Sequence, residues 1–268
     1  MAHTLEAEIS TGIAKLEYDN NNSVTLFVNG VPSSYLDLND PKFLAFEYMQ
    51  QMNVVVANLR PGPIRALHLG AGACALAWAW ALENPKSRQI AVDIDAKLVE
   101  LVRVWFDLPR APALRIRAQD ACEAIQQARP ETFDVIVRDV FAGDSTPKNL
   151  ISSEFTEATK RALKPNGIYL ANCADRPPLN GARNEIATLI EHFGDDQVAV
   201  IAEKGILNGK RYGNLVLVAR KENLDNNEAL AHYGLLVHTK MKPTGRENSV
   251  VFYPTENFRL WKKFETAS

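Results

Sequence analysis

Residues 66–95 constrain this chain more than any other stretch. An apolar run of strand length at residues 65–69 breaks into Gly70-Ala71-Gly72, passes into an Ala/Leu/Trp-rich helical stretch that stops near Asn84-Pro85, and is followed by a second apolar run ending on Asp93. Strand, glycine turn, helix and strand in that order make a βαβ unit with a nucleotide-type turn. Glycines at 70 and 72 let the backbone turn sharply and leave room for a ligand above it. Asp93, 21 residues beyond Gly72, falls at the tip of the next strand, where a carboxylate accepts hydrogen bonds from a ribose diol. Ala75 stands at the third glycine position, so the loop alone does not separate a dinucleotide from a nucleoside such as an S-adenosyl group. The blander reading is a tight turn and a surface acid. It does not account for glycines, helix and acid arriving in order and at a spacing of about 20 residues.

With 268 residues, 46% of them apolar, the chain can bury a full core for one large α/β domain and a smaller appendage. Thirty Lys and Arg against 32 Asp and Glu, without a long basic run, give no reason to expect nucleic acid or an anionic membrane as partner. No apolar run reaches the roughly 18 residues that span a bilayer, and the first residues lack the basic and apolar parts of a signal peptide, so the expected location is the cytoplasm. Cys74, Cys122 and Cys173 are odd in number and far apart in the sequence, among apolar or small neighbours. They are expected to be buried thiols, with neither a disulfide framework nor a metal site.

Upstream of the βαβ unit, residues 11–36 read as a small β meander with turns at Asp19-Asn-Asn-Asn-Ser and Asn29-Gly30. From Pro41 the apolar residues Phe43, Leu44, Phe46, Tyr48, Met49, Met52 and Val55 fall at helical spacing, up to Leu59-Arg-Pro-Gly-Pro. Downstream, helix and strand alternate: a helix over 96–106, a strand at 114–118, a helix over 122–127, and an unbroken apolar strand at 134–137. Ser152 caps the next helix, with acids in its early turns, Lys and Arg in its last, and a Pro-Asn-Gly stop. A fifth strand at 168–171, a helix over 182–193 and a closing antiparallel pair at 198–203 and 214–219 follow. The expected class is α/β: a Rossmann-like, seven-stranded, methyltransferase-type sheet, mostly parallel and covered by helices on both faces, with a small N-terminal β meander. The expected domains are 1–40, a catalytic domain at 41–222, and a C-terminal extension at 223–268 in which Asn223 caps a short helix and residues 239–248 form a loop.

In such sheets ligands bind beyond the carboxyl ends of the strands, which singles out the residues just after each strand. Asp120-Ala121 follows the third strand. Its carboxylate can accept from an adenine amino group while the small neighbour admits the ring, or it can cap the following helix; the two roles can coexist. Asp139 ends the fourth strand and opens a Gly- and Pro-containing loop. A carboxylate there can bind an ammonium and take the proton that an amine nucleophile must lose. Pairing with Arg138 would make it a structural acid, but strand alternation sends those two side chains to opposite faces.

These motifs together resemble the spermidine synthase (polyamine aminopropyltransferase) family, in a divergent bacterial spermidine synthase-like form, over residues 24–219. Leu-His-Leu-Gly-Ala-Gly-Ala matches the family's nucleoside loop, and Val92-Asp93-Ile94-Asp95 its Val-Glu-Ile-Asp ribose signature. Asp120-Ala121 matches its adenine site and Asp139 the first acid of its Asp-Ser-Ser-Asp-Pro loop. The resemblance implies that Gly70, Ala71, Gly72, Asp93, Ile94, Asp120 and Ala121 hold decarboxylated S-adenosylmethionine as aminopropyl donor. It implies that Asp139 binds the amine and removes its proton, that the product is 5′-methylthioadenosine, that no cofactor or metal is tightly bound, and that the protein is a homodimer. Three positions depart from the family: Ala142 stands where a second acid is usual, with Asp144 as a substitute; Phe46-Glu47-Tyr48 replaces Tyr-His-Glu; and Pro32-Ser33 replaces a glutamine. Glu47 either offers charge to an amine or is a solvated helix acid. Two further functions suit the same sheet: an S-adenosylmethionine-dependent methyltransferase, and a catalytically silent binder of nucleoside or polyamine.

Overall fold

The structure, a computed structural model, describes residues 3–143, 145–194, 197–208, 210–221 and 250–254. The chain forms two compact units: Met1–Gln50 with Gly62–Ala124, and Gln51–Pro61 with Ile125–Ser268. The helix α1 (Glu47–Leu59) contributes to both.

The first unit opens with an antiparallel sheet in the order β1 (His3–Ile9), β2 (Gly12–Tyr18), β3 (Ser23–Val28), β4 (Val31–Asp37). Alternation drives it: Ala14, Leu16, Val24, Leu26 and Leu36 are buried, while their sequence neighbours are largely turned outward. The Asn29-Gly30 turn has positive φ at both residues, 52° and 79°, the backbone of the tight hairpin read from sequence. The meander has one strand more than expected, since β1 precedes residue 11. In the same unit β5 (Arg65–Leu69), β6 (Arg88–Asp93) and β7 (Leu114–Ala118) lie side by side in parallel. They alternate with α2 (Ala75–Glu83), α3 (Ala96–Trp105) and α4 (Ala121–Gln126). Helix α2 is buried from Ala75 through Ala81, as a helix apolar on all sides requires. Asp95 caps α3 by accepting from Leu98 N at 2.7 Å, and the same carboxylate accepts the backbone N–H groups of Ser10 at 3.0 Å and Thr11 at 2.7 Å. Burial by itself would raise the Asp95 carboxyl, but these donors outweigh it and hold the group below the usual aspartate range.

The second unit contains β8 (Phe133–Arg138), α5 (Ser153–Ala162), β9 (Leu163–Asp175), α6 (Asn180–Phe193), β10 (Val198–Glu203), α7 (Lys204–Leu207), β11 (Gly213–Arg220) and β12 (Val250–Pro254). Its strand order is β12-β10-β11-β9-β8, with β8 parallel to β9 and the remaining pairs antiparallel. All six residues of β8 are buried, but the apolar run is only Val135–Val137: Asp134 and Arg138 on either side of it are buried through ion pairs with Arg60, Lys164 and Glu185. Ser152 caps α5 as expected, accepting from Phe155 N at 3.2 Å. The parallel pairing expected of the sheet is present within each unit, over β5–β6–β7 in the first and β8–β9 in the second, and the pair β10–β11 is antiparallel as anticipated.

Several expectations need correction. Helix α1 starts at Glu47, so Phe43 and Leu44 precede it and Phe43 is exposed. Strand β9 is much longer than residues 168–171, because its first residues pair before the Pro-Asn-Gly irregularity. Cys74 and Cys173 are buried, whereas Cys122 is only half-buried on the short helix α4. Strand β12 adds a strand inside the expected C-terminal extension, and the expected helix cap at Asn223 and loop at residues 239–248 lie outside the described residues.

His68, in the middle of β5, is buried; its Nε2 meets Gln89 Oε1 at 2.9 Å and its ring lies 5.2 Å from that of Trp80. Burial lowers its pKa from the usual 6.5 to about 4, against the opposing pull of Gln89. Below pH 6.5 the unfolded chain takes up a proton that the folded chain refuses, so this contribution is complete above 6.5 and is lost as pH falls toward 4. The loss on reaching pH 4 is about 3 kcal/mol. Urea unfolding of the wild type and of His68→Gln between pH 7 and 4 should show that fall in the former and a flatter profile in the latter.

Candidate active site

The glycine turn between β5 and α2 is held by backbone geometry that few side chains tolerate. Gly70 has φ +89° and Gly72 φ +47°. A Cβ on Gly72 would lie 2.6 Å from Ser34 Oγ, so the position needs glycine both for its conformation and for room. The third residue with left-handed backbone is Cys74, at φ 62°, rather than Ala75, which is already the first residue of α2. Ala75 keeps the third position of the motif, where a small residue lets the buried helix start pack closely, and the left-handed residue is its neighbour. No glycine or asparagine marks it; burial of the thiol among apolar neighbours holds Cys74 in a conformation it would otherwise avoid.

This turn points amides at one carboxylate. Asp93 Oδ2 accepts from Ala71 N and Gly72 N, each at 3.1 Å, and Oδ1 accepts from Asp95 N at 3.0 Å. Asp93 is half-buried, and burial pushes its pKa up against those three backbone donors. A carboxylate offers about four acceptor sites, so three internal donors leave Asp93 roughly one for a ribose hydroxyl. Ile94 beside it is exposed, at 66%. Across the β6–β7 pairing, Gln119 N donates to Asp93 O at 2.9 Å, which brings the end of β7 to the same level. Asp120, the next residue, accepts from Glu123 N at 3.0 Å and so caps α4; Ala121 behind it is buried. The capping role is thus realised, and the remaining carboxylate oxygen is compatible with the adenine role.

Ser34 was not found from sequence. It is buried, its hydroxyl oxygen accepts from Ala73 N at 3.0 Å, and it links β4 to the turn inside the first unit. Its only signal was its inward register on β4, two residues before buried Leu36. Glu47 sits half-buried at the first turn of α1, between Phe46 and Tyr48, whose rings stack 5.9 Å apart.

Asp139 belongs to the second unit, immediately after β8. It is half-buried, and Asn172 Nδ2 on β9 donates to its Oδ1 at 3.0 Å. Asn172 is itself buried, and its Oδ1 has no partner among the described residues. An unmet buried acceptor costs about 1–3 kcal/mol, so this oxygen is suited to a donor from elsewhere. Sequence reasoning passed over Asn172; an amide inside an apolar strand was the available signal. Arg138 does not pair with Asp139: its guanidinium meets Glu185 Oε1 at 2.5 Å. Asp144 lies outside the described residues. Among the described residues, no group of three or more His, Cys, Asp or Glu is arranged to hold a metal ion, and no helix is long and apolar enough to cross a membrane.

The family model described as "Spermine/spermidine synthase domain" matches residues 46–183, just over half of the chain. A polyamine aminopropyltransferase of Vibrio vulnificus is 26% identical over 211 residues, covering 78% of this chain and 67% of that protein; those of Chromobacterium violaceum and Neisseria meningitidis are 31% identical and matched over 61% and 59% of their length. Among solved structures, a probable spermidine synthase from Corynebacterium glutamicum is 35% identical with a TM-score of 0.85, covering 96% of this chain and 92% of that one. Human methyltransferase-like protein 13, solved in complex with SAH, shares the fold at 23% identity and a TM-score of 0.59, covering 75% of this chain and 95% of that one.

Substituting Gly72→Ala should destabilise the protein by about 2 kcal/mol, combining left-handed strain with the clash on Ser34. Chemical denaturation should show Gly72→Ala costing less in a Ser34→Ala background than in the wild type, because the clash is absent there while the strain remains; Ser34→Ala alone carries the separate cost of leaving Ala73 N without its acceptor.

Proposed function

Because the chain belongs to the spermine/spermidine synthase family, we propose that it transfers an aminopropyl group from decarboxylated S-adenosylmethionine to a polyamine-type amine, releasing 5′-methylthioadenosine. The observation that carries this reading is the family match over residues 46–183, which takes in both the glycine turn and Asp139. The 35% identity to the Corynebacterium structure over 96% of this chain supports it.

In this reading the turn at Gly70, Ala71 and Gly72, with Asp93, Ile94, Asp120 and Ala121, receives the nucleoside. Asp93 gives its remaining acceptor site to one ribose hydroxyl, and Asp120 its free oxygen to the adenine amino group. Asp139 binds the ammonium form of the acceptor amine, and Asn172 Oδ1 offers a second acceptor beside it. Glu47 and Asp144 are candidates for further negative charge toward the polyamine. The amine gives up a proton to Asp139, its lone pair attacks the carbon next to the sulfonium, the carbon–sulfur bond breaks, and its electron pair stays on sulfur. The sulfonium is an intrinsically good leaving group. Most of the acceleration therefore comes from aligning nitrogen, carbon and sulfur and from having the proton acceptor in place. No residue in this scheme requires a metal or a bound cofactor. The same reading takes the protein to be a cytoplasmic homodimer, as the family resemblance implies.

Incubating the protein with decarboxylated S-adenosylmethionine and a panel of diamines and triamines should yield methylthioadenosine and an amine heavier by one aminopropyl group, identified by mass. Formation of S-adenosylhomocysteine from S-adenosylmethionine instead would overturn the reading in favour of methyl transfer. Asp139→Asn should lower kcat by about 10²- to 10⁴-fold and leave nucleoside binding near wild type; equal loss of both would remove Asp139 from its assigned role.

A further inference from the structure

Arg138 is the largest fully buried side chain of the described residues, at 0% exposure, and the scheme above gives it no task. Its three directions of donation go to three separate pieces of the second unit. Nε donates to Tyr169 Oη on β9 at 3.1 Å, Nη2 to Glu185 Oε1 on α6 at 2.5 Å, and Nη1 to Thr146 Oγ1 at 2.9 Å. Burial alone would lower the guanidinium's pKa, but Glu185, Tyr169 and Cys173 reverse that, and the group stays charged at every accessible pH.

Stability is a poor explanation for such a group. A buried ion pair can commonly be replaced by apolar residues of similar volume at no cost, because desolvation consumes most of the Coulombic gain. What an apolar replacement cannot supply is direction. Thr146 lies eight residues beyond Arg138, in the loop that Asp139 opens. That loop therefore leaves Arg138 through the peptide chain and returns to Arg138 through its side chain. Within it, Ala142 N donates to Ser145 O at 2.8 Å, and Gly143 has φ +67°. Tyr169 and Asn172, three residues apart on β9, serve opposite faces: Tyr169 touches Arg138 and Asn172 touches Asp139. Arg138 thus does not reach the face where Asp139 works. It acts on Asp139 by fixing both ends of the loop.

We propose that Arg138 and Thr146 are positioning residues for the amine half of the reaction, the guanidinium closing the loop that begins at Asp139 through its hydrogen bond to the Thr146 hydroxyl. This rests on the aminopropyl-transfer reading for its kinetic consequence, but the tether itself is a matter of structure. Cutting it frees about eight residues of loop, whose ordering then has to be supplied when the acceptor binds. The glycine turn at residues 70–72, which the same reading gives to the donor, belongs to the first unit.

The test compares Thr146→Val, which keeps the shape and removes the hydroxyl, with Thr146→Ser, which keeps the hydroxyl. In Thr146→Val, amide hydrogen exchange over residues 140–147 should accelerate and the KM for the amine should rise, each by about tenfold, while the KM for the nucleoside donor stays within about twofold. Thr146→Ser should stay close to wild type in all three. Unchanged exchange in Thr146→Val, an equal rise in both KM values, or a Thr146→Ser variant as impaired as Thr146→Val would each overturn the proposal. If the wild type makes no methylthioadenosine, the functional reading fails, and the exchange comparison still decides the tether.

Discussion

One carboxylate organises the glycine turn of this protein. Asp93 ends β6 and accepts the two amides that the glycine turn exposes after β5, so the tips of neighbouring strands are joined through a side chain as well as through their ladder. The turn needs this. Left-handed backbone at Gly70, Gly72 and Cys74 leaves successive N–H groups facing inward with no helical partner, and a nearby anion is the natural acceptor for such a nest. The same contacts limit what Asp93 can offer a ligand, because three backbone donors already take most of its acceptor capacity.

The two halves of the proposed chemistry are supported unequally. Around the nucleoside turn, each element named from the motif stands in the first unit with defined partners: Asp93 on the loop amides, Asp120 on α4, Ala121 buried behind it. On the amine side the family's second acid is replaced by Ala142, and what stands beside Asp139 is a buried amide, Asn172, with an oxygen unmet among the described residues. Losing a charge and keeping a neutral acceptor weakens attraction for a dication more than for a singly charged amine. A divergent acceptor with fewer charges suits that arrangement.

What was legible in the sequence is what local chemistry determines. Ser152, with Lys160 and Arg161 eight and nine residues on, specified α5 nearly to the residue, because caps and end charges act within one turn. The all-buried strand β8 was readable because every position in it is apolar or paired. Where tertiary packing overrides local preference, reading failed. Cys74 adopts a glycine-like backbone with no glycine, β1 carries a mostly exposed pattern with too few inward apolar residues to announce itself, and Phe43 continues a helical spacing that the backbone does not follow. Asn172 and Ser34 were missed for a related reason: their importance comes from what they touch across strands, 33 and 39 residues away in the chain.

The carboxylate of Asp95 accepts from α3 and from Ser10 and Thr11 at the tip of the first hairpin. Anyone grafting this sheet's amino-terminal ribbon onto a different scaffold, or trimming it to shorten the protein, would strip two amide donors from a side chain that is 2% exposed. The ribbon is therefore wired into the fold at its first bend, and a chimera would have to import both the bend and its anion, or neither.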